Sequence, residues 1–309
     1  MTRDDGTTGT DAWPSLPLRQ WQDTYATLHL WTQIVGKVRL ALAPMMNHWW
    51  QVPLYVTCRG LTTTAIPYGR RRFQIDFDFI DHALRITTSD NLTETFALRP
   101  YSVADFYREL MDRLRALGLE VRIWPVPVEI PDPIPFEDDH QHAAYDPAYV
   151  ERFRGVLLQA DRLFTQFRAR FIGKASPVHF FWGSFDLATT RFSGRPAPRR
   201  PGPANVIEDE AYSHEQCSCG FWPGGSGIDE AAFYAYGYPE PPGSSAAPLR
   251  PRAAYYSDKL REFILPYEAV RASAAPDGTL LDFLQTSYEA VADRGGWDRT
   301  KLERADIRR

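Results

Sequence analysis

Prolines stand at positions 125, 127, 131, 133 and 135. Proline lacks the amide donor and locks φ, so neither a helix nor a central strand can run through this stretch. With the acidic run 137–144 behind it, the stretch divides the 309-residue chain. The expectation is an inter-domain linker over 125–144, an N-terminal lobe over 13–124 and a C-terminal lobe over 145–309. Residues 1–12, polar and acidic with Gly and Thr, read as a disordered leader.

Each side of the proline stretch carries helix, strands, helix. Leu28, Trp31, Val35, Val38 and Leu42 recur at steps of three and four, which predicts a helix over 21–43 that Pro44 ends. Strands follow over 52–58 and 61–66, broken at Gly60. From 72 to 79 Phe73, Ile75, Phe77 and Phe79 alternate with polar residues, the period of a half-buried antiparallel strand. Further strands are expected over 84–88 and 92–98. Ser102 and Asp105 form a capping box ahead of a helix striped by Phe106, Leu110 and Leu114, with Gly118 at its end. A short strand is expected over 119–124.

In the second half Asp146 and Pro147 open a helix. Strands are expected over 178–192, 212–221, 230–236 and 261–272, where Pro266 implies an edge or a bulge. A last helix over 279–294 is capped by Gly295 and Gly296. Laid over one another at a shift of 126 residues, 52–66 and 178–192 share Val52/Val178, Leu61/Leu187, Thr63/Thr189 and Thr64/Thr190. The fold class that follows is α+β, with two similar lobes, each an antiparallel sheet flanked by helices.

Composition narrows the function classes. Hydrophobic residues make up 44% and aromatic residues 14%, enough for a large core and incompatible with wholesale disorder. A net charge of −4 argues against a general nucleic-acid binder. There is no apolar run of about 18 residues to span a membrane, and the N-terminus lacks a signal-peptide pattern. Three cysteines make no disulfide framework, so a cytoplasmic location is expected. Oligomeric state is not legible.

Three segments concentrate chemistry. In His179-Phe180-Phe181-Trp182-Gly183-Ser184-Phe185-Asp186 a strand would put His179, Phe181 and Phe185 on one face and Trp182, Ser184 and Asp186 on the other. The second segment, 213–225, holds His214, Glu215, Cys217, Cys219, Phe221 and Trp222. The cysteines with His179 could offer a zinc or iron site, although the Cys-x-Cys spacing is atypical. In the third, 262–271, Tyr267 and Arg271 would share a face able to hold a carboxylate or phosphate. Each also has a structural reading: hydrogen-bonded core polar groups, small buried cysteines, and a local Glu–Arg ion pair. Asp138 to His142 could bind a divalent cation or simply be solvated.

Together HFFWGSFDLATTRFSGR, SHEQCSCGFWPGG and EFILPYEAVR resemble a family of bacterial proteins of about this length whose function is uncharacterised, over nearly the whole chain from Trp13 to about Leu302. The resemblance implies no particular reaction. It implies small or aliphatic residues where Cys217 and Cys219 stand, which shifts weight from a metal to the other polar groups.

The functional expectation is an enzyme acting on a small polar or anionic molecule. His179, Asp186, His214 and Glu215 would supply acid–base chemistry, or two imidazoles and a carboxylate would hold a divalent metal. Trp182, Arg191, Phe221, Trp222, Tyr267 and Arg271 would line the ligand site. The alternative is a non-catalytic ligand-binding or protein-interaction module.

Overall fold

The computed structural model describes residues 12–305 apart from 201 and 226; the expected leader, except Ala12, lies outside the described residues. The chain forms two similar α+β lobes, each an antiparallel sheet flanked by helices. They separate into two compact units, one of residues 16–154 and 179–186, the other of 12–15, 155–178 and 187–305.

The first unit is built on helix α1 (Leu18–Leu42), which starts after Pro17 and stops before Pro44. Its middle is buried on every side, with Leu28, Trp31, Ile34, Val35 and Val38 inaccessible to solvent. Strands β1 (Tyr55–Val56), β2 (Gly60–Thr62), β3 (Ile66–Tyr68), β4 (Arg71–Asp78), β5 (Ala83–Thr88) and β6 (Thr93–Ala97) follow. The sheet runs β1-β2-β4-β5-β6, with β3 also paired to β4. The alternation of β4 is realised: Phe73, Ile75 and Phe77 turn into the core, and Phe79 follows them there just past the strand. Helix α2 (Val103–Ala116) begins at the capping box, Ser102 Oγ accepting from the Asp105 amide at 3.1 Å and donating to its carboxylate at 2.8 Å. Trp31 of α1 stacks on Phe106 of α2, ring centroids 4.7 Å apart.

Residues 119–124 form no strand. Nor is 125–144 a free connection: it is folded within the first unit. Phe136 is fully buried there. The carbonyls of Asp139 and His142 accept from the amides of Ala104 and Val103, the first turn of α2 whose donors have no helical partner. Proline forbids regular structure in this stretch without forbidding burial. The boundary between the units falls later, inside helix α3 (Pro147–Ala169), and the short strand β7 (His179–Phe181) returns to the first unit.

The second unit holds β8 (Asp186–Pro196) beyond its first residue, the short helix α4 (Val206–Ala211), β9 (His214–Trp222), β10 (Ala232–Tyr238), β11 (Tyr255–Ser257) and β12 (Glu262–Pro266). These strands lie in the order β11-β12-β10-β9-β8. Helices α5 (Tyr267–Arg271), α6 (Pro276–Arg294) and α7 (Arg299–Leu302) follow. The strand expected over 261–272 ends at Pro266, and Tyr267 to Arg271 are helical. The internal repeat is visible as two matched β-turn-β segments: β1 and β2 over 55–62, β7 and the start of β8 from 179.

Candidate functional site

The segment expected to be one strand over 178–192 is broken by a turn at 182–185, so its residues do not sort onto the two faces of one strand. The turn is pinned from three directions, all within the first unit. Trp182 Nε1 donates to the Val52 carbonyl at 2.8 Å. Its ring lies on Gly36 of α1, where a Cβ would stand 2.3 Å from ring atoms. Phe185 takes a left-handed conformation, φ 58°, costly for a bulky side chain, and buries its ring against Tyr25, Phe153 and Phe180.

The third hold comes from α1. His29 Nε2 donates to the Gly183 carbonyl at 2.8 Å. One helical turn on, the Gln33 amide clamps Val128 from both sides, donating to its carbonyl at 2.8 Å and accepting from its amide at 2.9 Å. His29 and Gln33 share a helix face. They fix Gly183 and Val128, and so the residues beside them. Burial lowers the His29 pKa to about 4, so the ring is neutral at physiological pH.

Glu129, next to Val128, is also left-handed, φ 56°. Its carboxyl leans onto the turn so closely that a Cβ at Gly183 would stand 2.5 Å from Oε1. Only glycine admits it. Desolvation, and then the charge of Asp186, raise the Glu129 pKa above the ordinary carboxylate value. Asp186 is buried and accepts from Ser184 Oγ. Burial and the neighbouring Asp186 charge both favour the protonated form of Glu129.

The other expected site residues have different surroundings. His179 is fully buried among the edges of Trp50, Tyr55 and Phe181, centroids 5.8, 5.5 and 5.4 Å away. His179, Trp182 and Asp186 belong to the first unit; His214, Glu215 and the remaining expected ligand-site residues belong to the second. His214 Nδ1 lies 3.0 Å from Ser213 Oγ. Glu215 accepts from Ser193 Oγ at 2.8 Å and pairs with Arg195 at 2.6 Å. Arg195 in turn caps the Gly295 carbonyl behind α6.

Phe221 is core, packed on Phe233 and Tyr267, and Trp222 is half-buried at the end of β9. Tyr267 is core as well, its hydroxyl donating to the Pro14 carbonyl at 2.7 Å. Arg271 meets Glu268 with two bonds of 2.8 Å, the local ion pair, because α5 puts them three residues apart on a helix. Arg191 is buried in an aromatic cage, its guanidinium 3.4 Å from the Phe167 ring centroid and 4.4 Å from that of Tyr288. It donates to the Phe167 carbonyl.

Cys217 and Cys219 are buried thiols, and burial pushes Cys217 up to about 12. Among the described residues no three His, Cys, Asp or Glu side chains are grouped to hold a metal ion. Asp139 and His142 bond to each other at 2.8 Å beside the start of α2. No helix among the described residues is long and apolar enough to cross a membrane.

Sequence reasoning named Asp186 and passed over His29, Gln33 and Glu129, which the structure brings to the same turn. A His and a Gln four residues apart inside an apolar helix were a usable signal. Glu129 offered none, standing alone among prolines.

The model of a family of unknown function, DUF5996, matches residues 13–304. No curated protein and no solved structure matches the chain.

Proposed function

The chain belongs to the DUF5996 family, and we propose that it is an enzyme performing acid–base chemistry on a small polar molecule with Glu129 and Asp186 as its proton-transfer groups. The observation that carries this reading is the approach of the Glu129 carboxyl to the turn across Gly183, where desolvation first and the Asp186 charge second raise its pKa. Two left-handed residues, Glu129 and Phe185, are maintained to present it. Strain of that kind persists where the surroundings over-determine it, and it clusters at reactive sites.

In this reading Asp186 accepts a proton from the attacking or reacting group, and Glu129 donates one to the group that departs. His29 and Gln33 are positioning residues: they set where the two carboxyls stand. His29, neutral and bonded to Gly183, is not itself the acid at neutral pH.

The test has two parts. Carbon-13 NMR titration of labelled side-chain carboxyls should show Glu129 titrating above the ordinary range, and Asp186→Asn, which removes the neighbouring charge but not the desolvation, should lower it part of the way. Turnover of a panel of small esters, amides, phosphate esters and glycosides should fall about 10²- to 10⁴-fold in Glu129→Gln and in Asp186→Asn, the usual worth of a general acid or base. An ordinary Glu129 titration, or variants that turn over like the parent, refutes the proposal.

A further inference from the structure

The second unit carries a cleft that the carboxylate pair does not use. Its volume is about 300 Å³, the lower end for a small-molecule site, and Ala197, Arg199, Arg200, Glu208, Asp209, Tyr212 and Ser213 line it. Two adjacent arginines on a proline-bounded loop face it. The Arg200 guanidinium stacks over Tyr212, 4.2 Å from the ring centroid, with Tyr238 at 5.7 Å. Tyr238 anchors the loop in turn, its hydroxyl donating to the Pro198 carbonyl at 2.6 Å. Tyr212 and Tyr238 meet edge to face, centroids 5.1 Å apart. The cation is therefore oriented before any ligand arrives.

We propose that this cleft is a binding site for a small phosphate-bearing anion, held by Arg199 and Arg200. Each arginine pairs with an acid of α4: Arg199 with Asp209 at 2.9 Å, and Arg200 with Glu208 at 3.6 Å. Arg199, Arg200 and Glu208 are exposed and Asp209 is half-buried; ion pairs this open to solvent contribute little and exchange readily. Each carboxylate serves one guanidinium. A phosphate offers several oxygens on one tetrahedral centre, so it can engage both planar forks at once, the geometry for which arginine is suited. Asp209 and Glu208 act as internal stand-ins that the ligand displaces.

Isothermal titration of the full chain with inorganic phosphate and with pyrophosphate, at ionic strength fixed with chloride, tests this. Saturable binding is expected, weakened at least about 10-fold in Arg199→Gln and in Arg200→Gln, since each loses a charge-assisted pair. Asp209→Asn and Glu208→Gln remove the internal competitors and should tighten binding about 3-fold, by the mass-action logic of removing a competing state. A merely structural role for these acids would not produce that gain. Glu129→Gln and Asp186→Asn should bind phosphate like the parent, which separates this site from the carboxylate pair. Heats no larger than those of chloride, arginine variants that bind like the parent, or acid variants that fail to tighten overturn the proposal.

Discussion

Leu54 and Phe180 exchange both of their backbone hydrogen bonds, each amide reaching the other's carbonyl at 2.9 Å. They stand 126 residues apart, which is the shift that superposes 52–66 on 178–192. Equivalent positions of the internal repeat therefore pair with each other as an antiparallel bridge, the self-complementary arrangement by which two like segments close on one another. Pairing at this point places β7 beside β1, so that the turn after β7 lies where Val52 and Gly36 hold Trp182.

Gly183→Ala should separate the proton chemistry from the fold. The added Cβ meets the free end of Glu129, which can swing aside, so stability should change by less than about 1 kcal/mol in urea unfolding. The raised titration of Glu129 should disappear from the NMR profile. Retention of that titration would show that the close approach does not depend on the missing side chain.

Gly36→Ala should be far more damaging. Its Cβ meets the Trp182 ring, which is rigid and tied to Val52, rather than a flexible side-chain end. A loss of about 3 kcal/mol is expected, the upper range for overpacking a core, read from denaturant melts. A change below about 1 kcal/mol would mean that the ring is free to move.

Stability should fall with pH in a window set by His29. Its pKa is 6.5 when unfolded and about 4 when folded, so the unfolded chain binds the extra proton. The contribution is complete above pH 6.5 and is lost as pH falls toward 4. Between pH 7 and pH 5 that loss amounts to about 2 kcal/mol. His29→Gln, which can still donate to Gly183, should flatten the dependence in unfolding curves taken at both pH values.

Arg191 is expected to be dispensable to stability as a charge and required as a volume. Burial lowers its pKa, and its Nε has no hydrogen-bond acceptor among the described residues. Arg191→Met keeps the bulk between Phe167 and Tyr288 and should be neutral or stabilising by about 1 kcal/mol, as for other buried ions replaced by apolar side chains. Arg191→Ala leaves a cavity and should cost about 3 kcal/mol. Guanidinium melts of both variants distinguish volume from charge.

What could be read from the sequence was local. The Ser102 capping box, the alternation of β4, and the helix opened by Asp146 and Pro147 each depend on neighbours a few residues away, and all three stand in the structure. The carboxylate pair was hidden because Glu129 and Asp186 are brought together by bonds that span the chain, His29 to Gly183 and Gln33 to Val128. The turn at 182–185 was masked by its own composition. Aromatic residues favour strands, and a buried Phe185 at φ 58° is paid for only by the packing around its ring. Pro266 fits either a strand edge or a helix start, and local pattern could not choose. The proline stretch misled for a related reason: a segment without regular structure can still be tied down residue by residue, as Val128 and Phe136 are.

Gly36 packs against the Trp182 ring, and Gly183, within the turn, lies against the Glu129 carboxyl. Every single-base change that replaces a glycine codon by another amino acid's introduces at least a Cβ, so neither position has a conservative neighbour in the genetic code. A saturation-mutagenesis library should therefore be depleted at both, but for different reasons: loss of soluble protein at Gly36, and loss of activity in well-folded protein at Gly183. Sorting one library first by abundance and then by turnover would draw the outline of the proposed reactive centre without any knowledge of its substrate beyond a single working reporter.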